Sequence, residues 1–215
     1  MSFSNWIIKP EVVLTQSVII PVMVIHDLDQ TVFLAEALLK GGVSIFEVTL
    51  RTPIALDAVK ILNNSFPSAL VGVGTVITPS QLDRAVETGA QFAVSPGLTR
   101  ELLLAGSQSS IPLIPGVSSV SDVMEGIALG YTHFKFFPAA LAGGVGMLRA
   151  FHGLFPHVRF CPTGGINAAN CSEYLVLPNV LCVGGSWIVP DDAIRKNEWS
   201  LITELCLSMQ EQIAL

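Results

Sequence analysis

Short apolar runs alternate with longer amphipathic segments along nearly the whole chain, and few folds accept that rhythm. The runs read as strands at Ile19–Ile25, Ser44–Leu50, Leu70–Val76, Phe92–Ser95, Ile111–Pro115, His133–Phe137, Val158–Cys161 and Val180–Val183. Helical spacing fills Asp29–Lys40, Ile54–Phe66, Pro79–Thr88, Thr99–Ser107, Ser121–Leu129 and Gly146–Phe151 between them. Gly42, Gly89 and Gly130 stand where a helix hands over to a strand, which suits the left-handed residue that closes a helix. Asp29, Thr78, Thr99 and Ser121 stand where N-caps belong. Eight strand–helix units predict an α/β fold, a single parallel (β/α)8 TIM barrel spanning residues 1–215 as one domain. The stretch before strand one reads as an extra N-terminal helix, and the tail from Asp191 as the last helix. A doubly wound open sheet is the alternative, weakened because no GxGxxG follows the first strand.

Composition narrows the partners. A net charge of −6 with no basic stripe argues against nucleic acid. No apolar run approaches the ~18 residues of a membrane helix, and no basic-then-apolar leader opens the chain, so a cytoplasmic protein is expected. Charged residues make up only 13%, which points to apolar surface covered in an oligomer. Cys161, Cys171, Cys182 and Cys206 show neither CxxC spacing nor a disulfide framework, and the four histidines form no metal-type cluster. Neither a metal nor another cofactor is expected.

One lysine is out of place. Of five lysines, four fall in polar or terminal stretches, while Lys135 sits inside His133-Phe134-Lys135-Phe136-Phe137. Strand parity puts His133, Lys135 and Phe137 on one face and Phe134 and Phe136 on the other. An ammonium leaves water only if paired, and burial favours the neutral amine, which is how a lysine becomes a nucleophile towards carbonyls. Lys135 is therefore either a paired core charge or a functional amine.

Strand two, Ile45 to Arg51, puts Glu47, Thr49 and Arg51 on one face. Glu47 and Arg51 read either as a structural ion pair filling the interior or as a proton carrier and a carboxylate clamp. Gly72 and Gly74 in strand three signal a close approach by another group, and Thr75 follows at its end. Strand four runs into Ser95-Pro96-Gly97, which is turn chemistry first and site lining second. Strands seven and eight end in Thr163-Gly164-Gly165 and Gly184-Gly185-Ser186, a pattern suited to a phosphate cradle of backbone N–H groups.

With Glu47-Val48-Thr49-Leu50-Arg51-Thr52, Gly72-x-Gly74-Thr75-Val76, Lys135-Phe136-Phe137-Pro138-Ala139, Pro162-Thr163-Gly164-Gly165-Ile166 and Gly184-Gly185-Ser186-Trp187, the chain resembles the 2-keto-3-deoxy-6-phosphogluconate (KDPG) aldolases. It is most similar to the bacterial type that also handles 4-hydroxy-2-oxoglutarate (KHG). The resemblance runs the length of the chain. It implies a metal-free Schiff-base aldolase of the Entner–Doudoroff pathway, usually a homotrimer, acting on a small keto-acid phosphate. By that resemblance Lys135 forms the imine and Glu47 moves protons. Arg51 and Thr75 hold the pyruvate carboxylate, and Thr163 lines the pocket near the imine. Pro96 and Phe137 complete the expected pyruvate site, and Gly164, Gly165, Gly185 and Ser186 the phosphate site. One departure is His26-Asp27 just past strand one, where related enzymes often carry a basic residue. It disfavours the phosphogalactonate-cleaving branch. A metal-dependent aldolase, a phosphate-binding isomerase and a catalytically silent phosphosugar-binding barrel are the rivals.

Overall fold

The computed structural model describes residues 3–214. In chain order the elements are α1 Pro10–Thr15, β1 Ile19–Met23, α2 Thr31–Lys40, β2 Ile45–Thr49, α3 Ala55–Ser65, β3 Leu70–Gly74, α4 Pro79–Thr88, β4 Ala93–Val94 and α5 Arg100–Gln108. There follow β5 Leu113–Ile114, β6 Gly116–Val117, α6 Val120–Ala128, β7 His133–Phe136, α7 Gly144–Leu154, β8 Arg159–Pro162, α8 Cys171–Leu175, β9 Val183–Gly185, α9 Asp191–Arg195 and α10 Trp199–Ala214. Every strand pairing is parallel. The strands form a curled six-stranded sheet, β5-β4-β3-β2-β1-β9, and a three-stranded sheet, β6-β7-β8. Pro115, which has no N–H to offer a ladder, separates β5 from β6. Two isolated bridges, Phe160 with Val180 and Thr163 with Gly184, run from β8 towards β9. A closed ring of eight strands as one continuous ladder is thus not what forms.

Strands covered on both faces read as unbroken apolar runs, and β1 and β2 are buried at every position. The outward face of β7 shows why. Phe136 meets the Phe151 ring of α7 edge-on at 5.7 Å, and Phe151 stacks on Phe160 of β8 at 5.3 Å. Helix α4 begins and ends where expected, because the Thr78 hydroxyl caps Gln81 N–H and Gly89 turns left-handed at φ 88. Gly42 and Gly130 are left-handed too.

Other boundaries differ. Helix α6 is capped by Ser119 rather than Ser121, since Asp122 three residues on completes a capping box with it. Before α2, Asp27 rather than Asp29 accepts the capping bond, over a short 3-10 turn. Only Pro10–Thr15 of the leading stretch is helical, and residues 3–9 run as an arm. The tail is two helices, broken where Asn197 adopts a left-handed φ of 57 and is held by Gln30.

Candidate active site

Lys135 faces inward on β7 and finds one partner. Its Nζ lies 3.2 Å from Glu47 Oε1, with side-chain exposures of 7% and 3%. The residues are 88 apart in sequence and come from different sheets. A buried ion pair gives little net stability because desolvating both charges offsets their attraction, so its presence favours a chemical role. Glu47 does not pair with Arg51, which removes the structural Glu–Arg reading. Arg51 is exposed and, among the described residues, makes no ion pair.

Glycines around the pair make space. A β-carbon on Gly72 would strike the Phe92 ring, and one on Gly74 would strike the Glu47 carboxylate. Thr49 is inward but occupied, donating to Met23 O at 2.8 Å. Thr75 leaves the strand path altogether at φ 62. A β-branched residue in the left-handed region is strained, and such strain gathers at functional positions. Ser95 donates to Gly97 O and accepts from Gly116 N–H, so it ties the turns after β4 and β5 together.

Next to the pair opens a cavity of about 430 Å³. It is lined by Arg51, Phe137, Thr163, Gly164, Gly165, Gly185 and Ser186 among the expected residues. Lys135 joins it through Phe137, whose ring centroid is 5.6 Å from Nζ. Gly164 and Gly165 are left-handed at φ 96 and 75, which only glycine takes without strain. The Trp187 ring occupies the space a β-carbon on Gly185 would need. Lys135, Glu47, Thr75 and Pro96 are not in the cavity wall. Pro96 is half-buried and its backbone lies against Gly116. Gly184, the first glycine of the second expected pair, is in the wall as well, whereas the sequence reading missed Val22, Val24 and Asp191 there. Val22 and Val24 look like any core valine, whereas Asp191 carried a signal as the acidic first residue of a helix after Pro190.

Beside the pair, Cys182 is fully buried, and its thiol is pushed well up, by burial first, then by Cys161 and Glu47. Thiols so placed stay protonated and inert. His133, which shares its β7 face with Lys135, sits at the strand's other end, where burial lowers its pKa against the pull of Glu11. Among the described residues no three His, Cys, Asp or Glu side chains gather as a metal-ligand set. None of the helices there is long and apolar enough to cross a membrane.

A buried amine and carboxylate beside a glycine-walled cavity that carries an arginine is equipment for covalent work on a small anionic metabolite. The chain belongs to the KDPG and KHG aldolase family, whose model matches residues 11–205. The KHG/KDPG aldolase of Escherichia coli K12 is 51% identical over 201 residues, 94% of each chain. A KDPG aldolase of Legionella pneumophila, solved with pyruvate captured as a covalent carbinolamine, superposes with a TM-score of 0.94 at 60% identity, covering 95% of this chain and 99% of that one. The KDPG aldolase of Zymomonas mobilis ZM4, solved with 3-phosphoglycerate, gives 0.87 at 45% identity over 92% of each.

Proposed function

We propose that the chain cleaves KDPG to pyruvate and glyceraldehyde 3-phosphate, and KHG to pyruvate and glyoxylate, through an imine on Lys135. The buried Lys135–Glu47 pair carries this reading, since it sets an amine and a proton carrier 3.2 Å apart next to the cavity. Glu47 takes a proton from Nζ, the free amine attacks the C2 keto carbon, and Glu47 returns the proton to the carbinolamine hydroxyl, which leaves as water and gives an iminium. Glu47, through a water, then removes the C4 hydroxyl proton. The C3–C4 bond breaks, its electrons pass into the iminium, and the aldehyde departs. Protonation of the enamine at C3 and hydrolysis release pyruvate.

Arg51 is the cation of the wall and suits the carboxylate, with Thr75, Thr163, Phe137 and Pro96 around the pyruvate half. Gly164, Gly165, Gly185 and Ser186 suit the phosphate. The carbinolamine captured in the Legionella enzyme supports the imine, and the 3-phosphoglycerate in the Zymomonas enzyme supports a phosphate subsite. The two sheets are read as one (β/α)8 barrel of a single domain, with the bridges between β8 and β9 as one seam. A cytoplasmic homotrimer completes the proposal, supported by the low charge fraction and by exposed Ile7, Leu141 and Val176.

Steady-state cleavage of both substrates tests the reading. Glu47→Gln should lower kcat by roughly 10²–10⁴. Arg51→Ala should chiefly raise KM for every pyruvate-containing substrate. A fully active Glu47→Gln enzyme would overturn the assignment.

A further inference from the structure

Gly72 and Gly74 lie on the same inward face of β3 but face different neighbours. The ladder pairs Glu47 with Gly72 and Thr49 with Gly74. A strand side chain standing upright from Glu47 would therefore sit beside Gly72. Instead Glu47 leans along the strands towards their C-terminal ends. Its Cγ, carboxyl carbon and Oε1 all crowd the point where a β-carbon on Gly74 would stand. That same Oε1 accepts from Lys135. The level of Gly72 is already taken by the Phe92 ring, so the carboxylate has no upright alternative there.

We infer that Gly74 is a positioning residue: its missing β-carbon is the seat that tips the Glu47 carboxylate towards Lys135. Gly72, two residues earlier, is a packing residue for Phe92. The inference rests on the reading of Glu47 as proton carrier. It gives two glycines of one strand different functions.

The test uses the full-length enzyme with two readouts. Exchange of the pyruvate methyl protons in D2O needs both the imine and a proton carrier, whereas borohydride trapping of pyruvate needs the imine alone. Gly74→Ala should slow exchange by about 100-fold or more, the weight of a displaced acid–base group, with trapping reduced far less. Gly72→Ala should lower Tm yet leave the ratio of exchange to trapping unchanged. Shortening the acid makes room for the new methyl group, so Gly74→Ala/Glu47→Asp should exchange at least about tenfold faster than Gly74→Ala, although Glu47→Asp alone is slower than wild type. Exchange by Gly74→Ala within about threefold of wild type, or simple additivity in the double variant, overturns the inference. Should Gly74→Ala not fold, Gly74→Ala/Glu47→Ala should, and its failure to fold also overturns it. Wild-type exchange by Glu47→Gln would instead overturn the proton-carrier reading beneath it.

Discussion

The two ends of β7 are built differently. At its N-terminal end the arm before α1 lays Phe3 and Trp6 on Tyr131, with ring centroids 4.5 and 5.0 Å apart along that chain of contacts. Trp6 donates to Gly106 O and Tyr131 to Leu103 O, so their polar atoms are matched. At the C-terminal end a lysine and a glutamate are shut in together, a threonine is left-handed, and Arg51 has no ionic partner among the described residues. In a parallel α/β sheet with helices on its face, one end can be spent on stability and the other on chemistry. The contrast says which substitutions should cost folding and which should cost turnover.

Substitutions can sharpen or break that division. The largest effect is expected from Lys135→Met, which leaves the cavity wall intact but removes the amine, so cleavage should vanish while circular dichroism still reports a folded protein. At the other end, Trp6→Ala should cost about 2 kcal/mol in urea unfolding, below the 3–5 typical of a fully buried aromatic, with kcat per folded molecule unchanged. Loss of kcat there would break the comparison. Thr75→Gly should gain about 1 kcal/mol by relieving left-handed strain, yet raise KM for pyruvate-containing substrates.

The smallest effect is pH-dependent. His133 is held below its ordinary pKa by burial first and by Arg159, against Glu11. The unfolded chain then binds its proton more readily, so this contribution is present above about pH 6.5 and is lost as pH falls below it. His133→Gln should flatten the fall in stability between about pH 7 and pH 5, with the pH profile of kcat unmoved.

Much of this was legible in the residues. Parity alone separates Lys135 from Phe134 and Phe136, and the cap pair Thr78 and Gly89 fixes α4 at both ends. The identity of Glu47's partner was not legible, because it is set across 88 residues by how two sheets meet, whereas Arg51 competed from the same expected strand, which in fact ends at Thr49. Thr75 gave no warning, since threonine is among the last residues expected at positive φ. Helix α8 lay hidden because its five residues are too short to show a period. Ser119 and Ser121 are equivalent as letters, and only Asp122 chooses between them.

The central claim is that Lys135 is the amine that bonds to substrate. Intact-mass spectrometry after incubation with pyruvate and borohydride, followed by peptide mapping, tests it most directly. The account predicts one reduced pyruvate adduct per chain, located on Lys135 and absent from Lys135→Met. A folded, active protein that gains no adduct, or carries it on another lysine, would contradict it.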